Sequence, residues 1–456
     1  MNLLQYILIK LIRFLKECCA NLLHLFFTFT NTSQSNEMEM THRLLTFEST
    51  SKQTSKRVRV NRQIAQGGFS YVYEATDADT DRTYALKRIN CGTDSELVQL
   101  CRKEAKVHST FSHPSLLKLL GFQMETSSQA LQQQQQHDEG MVHVCYMLFP
   151  YLAGGSLRDE ITRRNLLPSC DDTRQLSRSL MTSRCFTQKQ ILNLFYEIVY
   201  AVKLLHDGGV SHCDLKLENI LLDVHYENYK DDQDKEGGSY EDTCEMYGVK
   251  GKPVLMDFGS ARPLSLSLTT RSDVLTLVEE ASSHTTISYR PPELFEGGLR
   301  HGEANLDLRK VDVWSCGCIL FGLMYGSSPF EIEFVRRSSS SLNGVEEEDV
   351  KVVECTQLRV LGRLPRPKAH TEMGKRYGVD MMDLVEGILV QDRLKRPSVE
   401  DVLEKVEGLI VKCGGQKRNR KDAGGSHKEG VIGGFGSGGN DDSDEDEENL
   451  FGSLLR

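Results

Sequence analysis

Val210-Ser211-His212-Cys213-Asp214-Leu215-Lys216-Leu217-Glu218-Asn219 places a carboxylate, a cation two residues later and an amide three residues after that. Asp214 can orient a hydroxyl and accept its proton, Lys216 can neutralise a transferring phosphoryl group, and the amide oxygen of Asn219 can ligate a hard metal ion. Upstream, Ile191, Leu194, Phe195, Ile198, Ala201, Val202 and Leu205 form an i, i+3, i+4, i+7 stripe that Asp207-Gly208-Gly209 stops. A helix is therefore predicted to lead directly into the loop. Downstream, Val254-Leu255-Met256-Asp257-Phe258-Gly259 ends an apolar strand on a carboxylate followed by a hinge-capable glycine. Asp257 is a candidate second metal ligand.

Further out, an alternating stretch begins at Arg57 and reads as strand, glycine turn, strand. In Ile64-Ala65-Gln66-Gly67-Gly68-Phe69-Ser70-Tyr71-Val72, small residues occupy the turn, where backbone N–H groups can approach phosphates closely. Taken alone, this is equally the signature of an ordinary Gly-Gly hairpin. Thr83-Tyr84-Ala85-Leu86-Lys87-Arg88-Ile89 alternates as a strand, so Ala85 and Lys87 share a face. A small residue leaves room for a base, and the lysine can reach phosphate oxygens. Glu104, in the helical stretch from Glu96 to Thr110, is the candidate ion-pair partner of that lysine. In isolation the two would be a lysine with a buried stem and a solvated glutamate.

The order of these features carries more than any one of them. Glycine loop, Ala-x-Lys, the spacing from His212 to Asn219, Asp257-Phe258-Gly259, Pro291-Pro292-Glu293 and Asp312-Val313-Trp314-Ser315-Cys316-Gly317 follow in sequence. This set resembles the eukaryotic protein kinase family over about residues 57 to 411. The segment from Arg271 to Leu277 and through Thr285-Thr286-Ile287-Ser288-Tyr289-Arg290 is similar to the long activation segment of the Numb-associated kinases, and most similar to their myristoylated and palmitoylated serine/threonine kinase branch.

The resemblance implies an α+β, two-lobed fold: a five-stranded antiparallel β N-lobe over residues 57–149 and a mainly α-helical C-lobe over 153–411, closing over ATP and Mg2+, with Mn2+ as the alternative ion. It implies transfer of the γ-phosphoryl group of ATP to Ser or Thr hydroxyls of protein substrates. Ile64, Gly67, Ser70, Val72, Ala85, Lys87 and Phe149 would line the nucleotide, with Pro150, Tyr151 and Leu152 as the hinge. Asp214, Lys216, Lys87 and Glu104 would be catalytic, and Asn219 and Asp257 would hold the metal. Thr286 would lie against Asp214, Glu293 would pair with Arg396, and Asp312 would brace the catalytic loop. Ala65 and Ser70 stand where the family has its first and third glycines. Cys213 stands where many members have the arginine that clamps an activation-loop phosphate, so activity independent of that phosphorylation is expected. A catalytically silent scaffold with the same fold is the alternative; the presence of Lys87, Glu104, Asp214, Asn219 and Asp257 argues against it.

Composition agrees with a soluble catalytic chain. Of 456 residues, 39% are hydrophobic and 26% charged, which excludes both wholesale disorder and a polytopic membrane protein. The net charge of -10 is concentrated in a run from Asp441 to Glu448, so no basic face for nucleic acid is expected. The thirteen cysteines include no C-x-x-C pair, which favours a reducing compartment.

Ahead of the catalytic region, residues 1–56 read as a membrane-associating segment and a polar linker. Leu3, Leu4, Ile7, Leu8, Leu11, Ile12 and Leu15 share one helical face, and Lys10, Arg13 and Lys16 another. This fits an interfacial helix better than a span; a targeting segment, a helix packed on the body and a single spanning helix are the other readings. Cys18 and Cys19 fall on the apolar side, where S-acylation could anchor the chain, while Asn2 stands where myristoylation needs glycine. The expected location is the cytosolic face of an internal membrane such as the Golgi. Four stretches read as surface-loop insertions: 126–140, 168–186, 226–252 and 336–348. Residues 412–456 read as a Gly-rich acidic tail, with Ser443 a candidate phosphorylation site.

Overall fold

The computed structural model describes residues 40–48, 55–67, 70–128, 141–165, 185–224, 246–299, 305–336 and 348–415. The N-terminal amphipathic stretch, Cys18, Cys19 and Ser443 lie outside them. Among the described residues no helix is long and apolar enough to cross a membrane. The chain divides into two compact units: residues up to Val98 together with Leu119–Tyr151, and Gln99–Lys118 together with Leu152 onward.

The first unit is a six-stranded antiparallel sheet of β1 (Leu44–Glu48), β2 (Ser55–Gln66), β3 (Ser70–Asp77), β4 (Thr83–Gly92), β5 (Gly121–Ser128) and β6 (Met141–Pro150), in the order β1-β2-β3-β4-β6-β5. Period-two alternation explains its faces. Val58, Val60, Tyr73, Ala75, Tyr84, Leu86, Tyr146 and Leu148 point to one side and form a single apolar cluster.

Five strands beginning at Arg57 were expected; there are six, and the first lies in the stretch read as a linker. Leu44-Leu45-Thr46-Phe47-Glu48 alternates, pairs from Leu44↔Arg59 to Glu48↔Ser55, and drives Leu45 and Phe47 into the same cluster. Phe47 lies so close over Gly121 that a Cβ on that glycine would sit 2.8 Å from the Phe47 Cβ. The polar composition around this short strand hides two core residues.

The second unit is mainly helical. The helices are α1 (Ser95–Thr110, whose first residues belong to the first unit), α2 (Leu157–Asn165), α3 (Gln188–Asp207), α4 (Arg271–His284), α5 (Arg309–Tyr325), α6 (Gln357–Val360), α7 (Glu372–Arg376), α8 (Val379–Ile388) and α9 (Val399–Lys412). Short two-stranded pairs join them: β7 (Val210–Ser211) with β10 (Arg262–Pro263), β8 (Ile220–Asp223) with β9 (Lys252–Leu255), β11 (Ser265–Ser267) with β12 (Asn305–Asp307), and β13 (Ile332–Arg336) with β14 (Glu348–Val352). Helix α5 is apolar almost all round, and every residue from Val311 to Tyr325 is buried. A helix of that composition must sit in a core. It stops at Gly326, whose φ of 95° is the left-handed cap glycine provides. Helix α3 starts on a Thr187–Gln190 capping box and α9 on a Ser398–Asp401 box.

Phe47→Ala should lower unfolding stability by about 3–5 kcal/mol, the cost of emptying a buried aromatic site. Chemical denaturation checks this, and an unchanged midpoint would show that β1 contributes nothing to the first core.

Candidate active site

The functional loop hangs from one buried carboxylate. Asp312, in the first turn of α5, is fully buried. Its Oδ2 accepts the backbone N–H of His212 at 2.8 Å and a bond from His206 Nε2 at 2.9 Å, while its Oδ1 accepts the N–H of Cys213 at 2.8 Å. Two successive amides pointing at one carboxylate require a sharp bend, and Cys213 takes it with φ 66°, a left-handed value that non-glycine residues rarely adopt. The bend presents Asp214 next.

Around Asp214 the groups converge. Lys216 Nζ lies 2.6 Å from Oδ2, and Asn219 Nδ2 donates to the Asp214 carbonyl at 2.9 Å and to Oδ2 at 3.4 Å. Thr286 donates its N–H to Oδ1 at 3.1 Å and its hydroxyl to the same oxygen at 3.2 Å, and Lys216 donates to the Thr286 hydroxyl at 3.1 Å. Beside them Thr285, Tyr289 and Arg290 line a small depression. Arg290 is held there by the Thr285 hydroxyl at 2.7 Å and the Thr285 carbonyl at 2.9 Å. Burial lowers the pKa of its guanidinium, against the smaller opposing effects of Cys355 and Asp214.

Asn219 and Asp257 are brought together by pairing of the backbone. Strands β8 and β9 align Ile220 with Leu255, and the Met256 N–H donates to the Asn219 carbonyl at 3.0 Å. Because Asn219 donates through Nδ2 to Asp214, its Oδ1, the atom able to ligate a metal, stays outside those bonds. Asp257 has φ 66°. An amide oxygen and a carboxylate at one end of a two-stranded ribbon form a hard-oxygen donor set that fits Mg2+ or Mn2+. Next to them Phe258 is buried between two imidazoles, 4.4 Å from the His108 ring and 5.6 Å from the His212 ring between centroids. His212 also bonds the Met256 carbonyl at 3.0 Å, and His108 the Leu117 carbonyl at 2.8 Å.

Within the sheet of the first unit, the register places Val72 opposite Lys87, Ala85 opposite Phe149, and Tyr84 opposite Pro150. Directly opposed and i, i+2 residues share a face, so Val72, Ala85, Lys87 and Phe149 project together, away from the side carrying Tyr73 and Leu86. Ile64 sits at the register shift between Gln63 and Ala65 and is 36% exposed, an apolar side chain turned out by a bulge. The Gly67 N–H closes the turn on the Ser70 carbonyl at 2.7 Å. Pro150 ends β6, with Tyr151 and Leu152 directly after it. Glu104 is buried on α1, in the second unit, where a Cβ on Gly259 would lie 3.5 Å from its Oε2.

Glu293 and Arg396 form a two-pronged pair, Nη1 to Oε1 at 2.7 Å and Nη2 to Oε2 at 3.0 Å, with both side chains buried and the guanidinium 4.9 Å from the Trp314 ring centroid. Residues that the pattern of motifs did not single out complete the site. His206 looks like a helix-terminating residue, yet it fills the second lone pair of Asp312 Oδ2. Arg158 of α2 donates to Glu218 at 2.8 Å, to the Gly326 carbonyl at 2.8 Å and to the Tyr289 hydroxyl at 3.3 Å. Arg262 and Glu280 pair at 2.9 Å.

The helical unit thus sets a carboxylate, a lysine and two hard-oxygen side chains on adjoining loops. The family model for the protein kinase domain matches residues 58–406, and the chain belongs to that family. It is similar to serine/threonine-protein kinase 16 of Mus musculus, 27% identical over 363 residues that cover 79% of this chain and 93% of the relative. It is also similar to serine/threonine-protein kinase ppk13 of Schizosaccharomyces pombe, 26% identical over 362 residues, 77% of this chain and 90% of the relative. Serine/threonine-protein kinase ENV7 of Saccharomyces cerevisiae is 23% identical over 394 residues, 79% and 94% respectively.

Asp312→Asn leaves only one oxygen for acceptor duty on two backbone N–H groups and His206. We expect a stability loss of about 1–3 kcal/mol, the cost of a buried unpaired donor, together with a fall in phosphoryl-transfer rate. Thermal unfolding and initial rates measured on one preparation check both; a stable variant with full activity would mean that another group aims the loop.

Proposed function

We propose that this protein kinase transfers the γ-phosphoryl group of ATP to serine and threonine hydroxyls of other proteins. One observation carries the reading: a threonine hydroxyl already rests 3.2 Å from Asp214 Oδ1 and 3.1 Å from Lys216 Nζ. This is the environment an incoming aliphatic hydroxyl needs, with an acceptor for its proton and a cation for the group it attacks. The relatives named as serine/threonine kinases support the same acceptor class.

In this reading Asp214 orients the substrate hydroxyl and takes its proton as the new P–O bond forms and the bond to the ADP leaving group breaks. Lys216 neutralises charge on the moving phosphoryl oxygens. Lys87 holds the ATP phosphates and Glu104 is the carboxylate that orients it. Ile64, Val72, Ala85 and Phe149 bind the adenine, Gly67 and Ser70 belong to the phosphate-covering turn, and Pro150, Tyr151 and Leu152 supply the hinge. Asn219 and Asp257 would hold Mg2+ or Mn2+, which when bound neutralises and orients the phosphates. Glu293, Arg396 and Asp312 act on the frame rather than on substrate. Positioning and fixed electrostatics dominate such a reaction.

Membrane attachment through the amphipathic N-terminal stretch, S-acylated at Cys18 and Cys19, belongs to the same proposal, with the cytosolic face of the Golgi or a similar membrane as the location. The apolar stripe beside a basic one supports it. Loss of both thiols in Cys18→Ser/Cys19→Ser is expected to move the protein from the membrane pellet to the supernatant of fractionated cells. Undiminished pelleting would end the acylation reading.

Asp214→Asn is expected to reduce transfer of labelled phosphate from ATP to a general Ser/Thr acceptor by about 10²–10⁴-fold, the usual contribution of a positioned proton acceptor, while nucleotide binding persists. Equal rates in parent and variant would overturn the assignment of Asp214, and a parent that binds ATP without transfer would favour a scaffold.

A further inference from the structure

Arg158 stands in the first turn of α2, and that helix is fixed by contacts of its own. Leu157 and Ile161 are buried in the core of the second unit. Just ahead of them the Gly155 carbonyl accepts the Leu222 N–H at 3.0 Å, and Ser156 pairs with Leu221, so α2 starts on β8, the strand that follows Asn219. Arg158 is thus a post seated on the ribbon that carries the metal-ligand candidates.

From this post one guanidinium reaches three further segments of the same unit. Its Nε donates to Glu218 Oε1 at 2.8 Å, within the short helical turn Leu217–Asn219 that directly follows Lys216. Its Nη2 donates to the Tyr289 hydroxyl at 3.3 Å, at the end of the turn Ile287–Tyr289 that directly follows Thr286. Its Nη1 donates to the Gly326 carbonyl at 2.8 Å, where α5 is capped. Glu218 Oε2 is buried with no hydrogen-bond partner among the described residues, so the bond to Arg158 is what fixes this carboxylate. Burial raises the Tyr289 pKa, against the smaller opposing effect of Arg158, and keeps the hydroxyl protonated. The backbone of the Tyr289 turn is anchored separately, by Ser315 Oγ on the Tyr289 carbonyl at 3.0 Å and Ser328 Oγ on the Ser288 carbonyl at 2.5 Å. Both turns therefore persist without Arg158, and what it adds is the link between them.

We propose that Arg158 is a positioning residue for the protein acceptor: by bonding Glu218 on one loop and Tyr289 on the other, it sets the gap in which the hydroxyl meets Asp214 and Lys216. This rests on the kinase reading above. The ion pair is partly exposed, 23% at Arg158 and 44% at Glu218, so it adds little to global stability. Its effect is on geometry, which a planar fork can fix in three directions and the compact point charge of a lysine cannot.

The test uses the full chain and compares the parent with Arg158→Met, Arg158→Lys, Arg158→Met/Glu218→Gln, Tyr289→Phe and Asp214→Asn. Arg158→Met is expected to lower kcat for the protein acceptor about 10-fold or more, since a misplacement of about 1 Å costs on the order of 10²-fold. Nucleotide affinity should not change. Arg158→Lys should be close to Arg158→Met, and the double variant should stay as slow, because neither restores the link to Tyr289. Tyr289→Phe, which removes one hydroxyl and leaves the ring, should show a smaller fall in the same direction and decides the matter if Arg158→Met does not fold. Unchanged kcat in Arg158→Met or in Tyr289→Phe, a parallel loss of nucleotide affinity, or a lysine variant with the parental rate would each overturn the proposal. Recovery in the double variant would also overturn it, because the harm would then come from an unpaired Glu218 charge. A parent no faster than Asp214→Asn would instead strike the kinase reading, and this inference with it.

Discussion

Burying the Asp312 carboxylate is the constraint from which the catalytic geometry follows. Removing such a charge from water costs several kcal/mol unless its lone pairs are filled, and here three donors fill them: the N–H groups of His212 and Cys213 and the ring of His206. The donors come from α3 and from the loop after β7, while the acceptor comes from α5. A small rotation of any of these elements would expose an unpaired charge in the core, so the three move as one body. The left-handed turn at Cys213, which costs about 1–3 kcal/mol, is the local consequence.

The same bend explains why Cys213 can replace an arginine without leaving a hole. Its side chain points into a cluster of leucines, valines and an alanine that includes the apolar stripe of α4. A guanidinium there would need a buried counter-ion. The thiol needs none, and α4 is docked by burial of apolar surface. Beside the cluster Arg262 and Glu280 pair at 2.9 Å, and the Asp312 carboxylate holds the Cys213 N–H from below.

Much of this was legible in the sequence because chemistry and spacing coincide there. Asp214, Lys216 and Asn219 stand at the intervals that put them on one loop, Asp257 ends an apolar strand, and the alternation around Lys87 reads directly as a strand face. What was not legible depends on contacts between distant residues or on turns of weak signature. Strand β1 has only Leu45 and Phe47 to mark it within polar surroundings. The shift that turns Ile64 outward is visible only in the pairing of β2 with β3. His206 gives no hint of Asp312, 106 residues away. Three of the stretches read as insertions run into the paired strand ends Ser128↔Met141, Asp223↔Lys252 and Arg336↔Glu348, and the second carries Tyr247 and Val249, which are buried in the core and not on a surface loop. Because each pair pins the two ends together, added loop length costs only a slowly growing closure entropy. Long polar stretches at such ends are thus compatible with the elements that carry the site.

The remaining question of geometry is how Asp214 and Asp257, separated by more than forty residues, keep a fixed relation. No ion pair joins the two carboxylates, which carry the same charge and would repel one another. The backbone does it instead. Met256 donates its N–H to the Asn219 carbonyl, and its own carbonyl receives the His212 ring. Met256, next to Asp257, is therefore stitched through its carbonyl to the residue two before Asp214 and through its N–H to the metal-ligand candidate five after it. His212 is in turn fixed by Asp312 through its N–H and packs edge-on against Phe258. Disturbing Phe258 would thus disturb His212 and, through Met256, the placement of Asp257. The backbone thus delivers the two carboxylates, while Lys216, Asn219 and Thr286 hold the Asp214 oxygens directly.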